Sequence, residues 1–226
     1  MPSCASVATP LPQQLNRKQQ QSALFANPKY FRSLAEHLQY LTLTRPDLQF
    51  SVNYVCQKMH EPIVSDFNLL KRILRYIKGT TTMSITFDKN TDYKLTAYSD
   101  SDYAGCQKSS RSTGGFCTFL GRNMISWSSR KQDTVSKSST EAEYRAMSKT
   151  ASKITWLVAF GNLIVNHIPA DYQLANIFTK SLPQRPFEIL RLKLGVGVPH
   201  TPSDVYVPPF REKLALVSTK LMKVEA

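Results

Sequence analysis

Glycine is scarce in this chain, at 8 of 226 residues, while the 13 prolines concentrate towards the two ends. That distribution predicts a folded middle between loose termini. Cysteines 4, 56, 106 and 117 contain no Cys-x-x-Cys spacing, and His37, His60, His167 and His200 are scattered. The pattern argues against a zinc site. It also offers no disulfide framework, so a reducing compartment is the default. No apolar run approaches the ~20 residues needed to span a bilayer, and no membrane partner is expected. No segment repeats internally.

Acidic residues are also missing from the first 35 positions, which carry Arg17, Lys18 and Lys29. An acid-poor basic leader is a feature of organelle transit peptides. The clustered glutamines (13, 14 and 19 to 21) and Pro2, Pro10 and Pro12 favour the simpler reading, a disordered leader over residues 1–27. What the chain does have is positive charge. Its 29 Lys and Arg against 16 Asp and Glu give +13. Such an excess favours polyanions, above all nucleic acid, through phosphate contacts and counterion release. The hydrophobic fraction of 42% lies well above the disordered range.

Helical spacing begins at 28. Asn27 is placed to cap a helix with Pro28 at its first position, and Phe31, Leu34, Ala35, Leu38 and Leu41 recur on one face. A second stripe runs through Val52, Val55, Cys56 and Met59. A third helix is expected from a Ser65 N-cap to Gly79, with Leu69, Leu70, Ile73, Leu74 and Ile77 inward. Its Lys71, Arg72, Arg75 and Lys78 complement the helix dipole; they are equally suited to tracking phosphates. Arg111, Arg130 and Lys131 are further candidate phosphate contacts.

From 82 the period becomes two. Strands are expected at Met83–Phe87, Leu95–Asp100, Gly114–Leu120 and Met124–Ser128, the last two joined by a tight hairpin at Gly121. A long helix over 138–160 opens with Ser138 and Glu141 at capping-box spacing. A short β-prone run at Leu163–Val165 precedes a helix expected over Gln173–Leu182. Another follows at 186–194, and an amphipathic end is built on Leu214, Val217, Leu221 and Met222.

Two carboxylates stand out. Glu143 lies three and four residues before Ala146 and Met147, on the apolar side of its helix, while Glu141 is about 200° away with a capping role. An inward carboxylate needs a partner or a metal. Asp100 closes a strand, with Asp102 just beyond. Such a pair suits Mg²⁺, which takes hard oxygen ligands; Asp100 and Asp102 also fit as turn formers.

A series of motifs extends this reading. They are Tyr40 to Asp47 (YLTLTRPD), Leu70 to Thr80 (LKRILRYIKGT), Ala97 to Gly105 (AYSDSDYAG), Ser112 to Gly115 (STGG), Ile125 to Gln132 (ISWSSRKQ), Ser138 to Tyr144 (SSTEAEY) and Asn176 to Lys180 (NIFTK). In order and spacing they resemble the C-terminal part of a Copia-type retrotransposon Pol polyprotein. The resemblance implies a helical remnant of the reverse transcriptase over 28–81 and a truncated ribonuclease H-like domain over 82–184, then a partly helical extension over 185–226. The expected fold class is α/β, a helical segment followed by a truncated ribonuclease H-like mixed sheet with flanking helices.

The family's ribonuclease cleaves the RNA strand of RNA–DNA hybrids with metal ions, Mg²⁺ being the implied cofactor, held by four carboxylates. Asp100 matches the first and Glu143 the second. The third has no counterpart, because a strand and its helices are deleted between Trp156 and Leu163. The fourth is replaced by Asn176. No Tyr-x-Asp-Asp turn of a polymerase occurs. The implied protein is a catalytically inactive Pol fragment with residual non-specific nucleic-acid binding. The alternatives are an active ribonuclease on RNA–DNA hybrids and a scaffold reused for protein interactions. With one strand gone, Leu163–His167 is expected either to pair directly with Leu95–Asp100 or to stay unpaired, leaving an aggregation-prone edge.

Overall fold

The computed structural model describes residues 4–15, 22–106, 108–157, 162–198 and 220–225. In chain order the elements are α1 (Pro28–Leu41), α2 (Gln49–Cys56), α3 (Val64–Gly79), β1 (Ser84–Ile85), β2 (Leu95–Asp102), β3 (Thr113–Leu120), β4 (Asn123–Lys131), α4 (Ser139–Leu157), β5 (Asn162–His167), α5 (Gln184–Lys193), β6 (Val196–Gly197) and β7 (Lys220–Glu225). Short 3₁₀ turns cover Pro46–Leu48, Ala170–Tyr172 and Leu174–Phe178. The architecture is α/β and ribonuclease H-like, with a helical part ahead of a sheet flanked by helices. The chain divides into two compact units, Met1–Ile85 with Lys180–Gly197, and Thr86–Thr179 with Val198–Ala226. Residues 180–197 therefore join the helical unit rather than straddling a boundary at 184.

The helical unit is built on α1, α2 and α3. Asn27 caps α1 by accepting from the Tyr30 amide at 3.0 Å. α3 starts one residue before the expected Ser65 cap. There the Asp66 carboxylate accepts from the Ile63 amide at 3.1 Å, a bond whose donor lies outside the helix. Phe31, Leu48, Leu70, Ile73 and Tyr76 are fully enclosed. Each such side chain contributes about 1.5–3 kcal/mol by leaving water. At the centre sits an ion pair. Arg45 Nε and Nη2 donate to the two Asp47 oxygens at 2.9 and 2.8 Å, Arg45 Nη1 donates to Thr80 O at 2.8 Å, and the Tyr76 hydroxyl donates to Asp47 Oδ2 at 2.7 Å. The Arg-Pro-Asp stretch thus makes a buried bidentate pair whose remaining polar groups find partners. Phe187 of α5 meets Tyr76 edge-on with ring centroids 5.7 Å apart. β1 pairs antiparallel with β6, Ile85 opposite Val196, so the expected strand over 83–87 contracts to two residues and belongs to this unit.

Part of the leader, expected as disordered coil, is held against α3 and the residue before it. Leu24 bridges to Ile63, and Phe25 stacks on Phe67 at 4.2 Å between centroids. Residues 4–9 meet α3 itself, with Ser6 Cβ only 2.7 Å from where a Cβ on Gly79 would lie.

The second unit holds a sheet of strand order β4-β3-β2-β7-β5 with antiparallel neighbours throughout. β2 and β5 run in the same direction, and β7 lies between them. It pairs Leu95 with Val224 and Tyr98 with Leu221 on one side, and Leu163 with Val224 and Asn166 with Leu221 on the other. This corrects two expectations. β5 neither pairs with β2 nor stays unpaired, and Leu221 and Met222 belong to a strand rather than an amphipathic helix. Two open strand edges offer a double ladder of backbone hydrogen bonds that outweighs the helical spacing of a short segment. Leu214 and Val217 lie outside the described residues.

The β3–β4 hairpin turns on Gly121 at φ +59°, where a side chain would meet Thr91 and Asp92. α4 packs on one face of the sheet, joining Leu95 and Ala97 to Met147 and Ile154.

Candidate functional site

Strand alternation assigns each site residue to a face. Leu95 and Ala97 meet α4. Ser101 follows on the same face, where its Oγ accepts from Gln132 Nε2 at 3.3 Å while that nitrogen also donates to Ala142 O of α4 at 2.8 Å. Opposite Ser101 in the ladder is Gly114, whose Cβ position faces Ala146. Asp100 is one residue out of phase and points to the other face. Its ladder partner Gly115 faces Phe178, whose Cβ would stand 2.7 Å from an added Cβ. That face is covered by the turns over 170–178.

Asp100, 8% exposed, therefore meets the Asn176–Thr179 segment, and the Thr179 hydroxyl donates to Asp100 Oδ2. The same hydroxyl lies 3.2 Å from Asn176 O. It has one proton, and the carboxylate is the stronger acceptor. Asn176, also 8% exposed, turns its Nδ2 to Ala170 O at 2.9 Å and so acts as a donor. Gln173 fixes the segment to the sheet, donating to Ser99 O at 3.0 Å and accepting from the Ala175 amide at 3.3 Å. These side-chain ties hold 174–178 as a 3₁₀ turn, where the sequence predicts an α-helix from 173 to 182. Asp171 lies exposed on the neighbouring turn.

Glu143 is half-buried on α4, the element covering the opposite face from the Asp100–Thr179 contact. Glu141 performs the capping work its spacing indicates: its amide donates to Ser138 Oγ at 3.1 Å, and its Oε2 accepts from the Lys137 amide at 2.7 Å. That backbone bond, then Arg145, holds its pKa below the usual carboxylate range. Asp102 curls back over the turn, its carboxylate against Gly105. Among the described residues no group of three or more His, Cys, Asp or Glu is placed to hold a metal ion.

The basic candidates fall into two sets. In the helical unit Arg72 Nη2 donates to Thr9 Oγ1 at 3.0 Å, Arg75 Nε to Ala5 O at 2.7 Å and Lys78 Nζ to Cys4 O at 3.0 Å, while Lys71 lies over the Phe67 ring. Three of the four α3 cations are thus engaged by the chain's own leader. The sequence shows no signal for this, because the leader offers backbone carbonyls and one hydroxyl rather than charge.

In the sheet unit Arg130 is exposed, with Asp133 4.0 Å away, and Arg111 is exposed as well. Arg130 also lines a cavity of about 160 Å³ between β3, β4 and α4, together with Gly114, Phe116, Ser128, Gln132 and Lys149. Lys131 Nζ lies 2.9 Å from Cys106 Sγ. Partial burial pushes this thiol up, but Lys131 and Ser109 outweigh it and bring its pKa down to about 7. Thr179, Gln173 and Gln132 sit inside or beside motif stretches, yet only the folded geometry gives them partners.

A strand-end carboxylate on a central strand, one face of the sheet under a capped helix and the other under short helical turns, is an arrangement consistent with a ribonuclease H-like fold. No family model matches the chain, and no solved structure matches it. The chain is 54% identical over 156 residues to the mitochondrial protein AtMg00810 of Arabidopsis thaliana, covering 69% of this chain and 65% of that one. It is 42% identical over 151 residues to the retrovirus-related Pol polyprotein from transposon RE2 of the same plant, and 45% over 131 residues to that from transposon RE1. These matches cover 67% and 58% of this chain but only 10% and 9% of the two polyproteins. The chain belongs to the Copia-type retrotransposon Pol polyproteins, of which it is a fragment.

Proposed function

We propose that this Pol fragment has no ribonuclease turnover and keeps a non-specific affinity for nucleic acid. The observation that carries the first half is the surroundings of Asp100. Its carboxylate already accepts from Thr179, and Asn176 stands beside it as an amide committed to donating to Ala170 O. In an intact site of this family Mg²⁺ would supply the charge that activates water and neutralises the scissile phosphate. A pair of such ions sits about 3.5–4 Å apart and needs anionic clamps. The residues present do not fit that pair. Asn176 brings no charge, and the third carboxylate has no counterpart.

Affinity for nucleic acid follows from the net charge of +13 and the exposed Arg111 and Arg130. The test is incubation of the purified chain with an RNA–DNA hybrid and Mg²⁺ or Mn²⁺. No cleavage is expected; cleavage that vanishes in Asp100→Asn would overturn the proposal. Retention on single-stranded DNA should fall steeply with salt, and a flat dependence would overturn the second half.

A further inference from the structure

The sheet unit keeps a cavity of about 160 Å³ between β3, β4 and α4. In the β3–β4 ladder Gly114 stands opposite Arg130 and Phe116 opposite Ser128, and all four line the cavity on the face that α4 covers. Gly114 has no side chain, and α4 presents the small Ala146 there. A Cβ at Gly114 would still stand 3.6 Å from Ala146 Cβ. Two small residues face to face leave the gap open. Gln132 forms a neutral, fully committed wall: its Nε2 donates to Ser101 Oγ and Ala142 O, and its Oε1 accepts from Ser136 Oγ. The other polar side chains on the lining are the Arg130 guanidinium, the Lys149 ammonium and the Ser128 hydroxyl. Both cations lean on one carboxylate, since Asp133 lies 3.3 Å from Lys149 Nζ and 4.0 Å from Arg130 Nη2. Lys149 first, then Arg130 and Arg111, hold the Asp133 pKa below the usual carboxylate range. One negative charge is thus divided among three positive ones. The Arg130 and Asp133 side chains are 73% and 71% exposed, and exposed pairs of this kind are weak, so an incoming anion displaces Asp133 at little cost.

We infer that this cavity seats a single phosphodiester group of a nucleic-acid strand, held by Arg130, Lys149 and the Ser128 hydroxyl. A guanidinium offers paired N–H donors to two phosphate oxygens, an ammonium adds a compact charge, and a hydroxyl donates one further bond. The volume also favours a strand. Clefts that enclose a whole drug-sized ligand measure about 300–1,000 Å³. A space half the lower figure takes the charged group and leaves sugar and base outside, as a polymer threading past its mouth requires. The inference rests on the nucleic-acid affinity proposed above and assigns part of it to one cavity of the sheet unit.

The experiment measures binding of a fluorescent single-stranded thymidine oligonucleotide to the full chain over a range of salt. Arg130→Gln with Lys149→Gln should weaken binding at least about tenfold at low salt and lower the slope of log K against log salt by roughly 0.7, the share of one phosphate contact on a single strand. Lys89→Gln with Lys94→Gln removes the same charge from exposed positions of the sheet unit and should do much less. Asp133→Asn frees both cations and should tighten binding more than Glu61→Gln, the same charge change at an exposed position of the helical unit. Inorganic phosphate is the second probe. It should shift the amide signals of Ser128, Arg130 and Lys149 in the full chain and leave the Arg130→Gln, Lys149→Gln variant unmoved. Equal effects of the two double variants, together with equal effects of Asp133→Asn and Glu61→Gln, would overturn the inference while leaving general binding intact. Phosphate shifts at these amides without oligonucleotide binding would give the cavity to free phosphate and overturn its assignment to a strand. Neither oligonucleotide binding nor phosphate shifts at low salt would overturn both this inference and the affinity on which it rests.

Discussion

The two units of this chain solve the same problem with different means. The helical unit builds most of its core from residues near in sequence, with a bidentate Arg45–Asp47 pair at its centre, and adds α5, β6 and the leader from a distance. The sheet unit depends on distant pieces: β7, from the far end of the chain, fills the gap between β2 and β5, and Gln173 and Thr179 clamp one face. A core assembled from neighbours tolerates the loss of distant sequence. A sheet that needs a borrowed strand does not, because both its inner edges open at once.

The sharpest way to break this contrast is to remove Lys220–Glu225. The sheet unit should lose its cooperative unfolding and the amide protection of β2, while the helical unit keeps its own. Hydrogen exchange checks this; unchanged protection of Leu95–Asp100 would show that β5 closes on β2 without help. Next in size is Asp47→Ala, which strands Arg45 in a site where the two side chains are 4% and 0% exposed. Breaking a buried pair from one side costs about 3–5 kcal/mol. A urea titration should show that loss in the helical unit, and the double replacement Arg45→Met with Asp47→Leu should lose less than the single one.

A smaller effect probes the site. Asn176→Asp, which supplies the carboxylate the proposal holds to be missing, removes the donor to Ala170 O and sets a carboxylate against a carbonyl. About 1–3 kcal/mol of stability should be lost, with no gain in hybrid cleavage. The smallest effect is local. Because the Cys106 thiol is brought down to about 7 by Lys131 and Ser109 against its burial, its thiolate is the minor form below that pH and the major form above it. The thiolate is the nucleophile. Alkylation of Cys106 should therefore be half-maximal near pH 7, and Lys131→Met should move the midpoint upward without changing the melting of either unit.

Local signals were legible wherever a residue and its partner lie within one turn. Asn27 over α1 and Ser138 with Glu141 over α4 can be read from spacing, since a side chain reaching an amide three residues on needs no tertiary contact. Ser65 misleads because Asp66 binds an amide just outside α3. The 173–182 stretch misleads because Gln173 is bound to Ser99, 74 residues away in sequence.

Sequence alone determined the α/β class, the Pol family, and the alternation that sets Asp100 apart from Leu95 and Ala97. All of these are carried by residue identity and short-range periodicity. Tertiary structure alone decided which element covers each face of the sheet, and so which groups surround Asp100. It also decided that β7 stands between β2 and β5, and that the leader meets the α3 cations through two backbone carbonyls and the Thr9 hydroxyl. Hydrogen bonds to the main chain are open to almost any residue, so the sequence of the acceptor segment carries no mark of them.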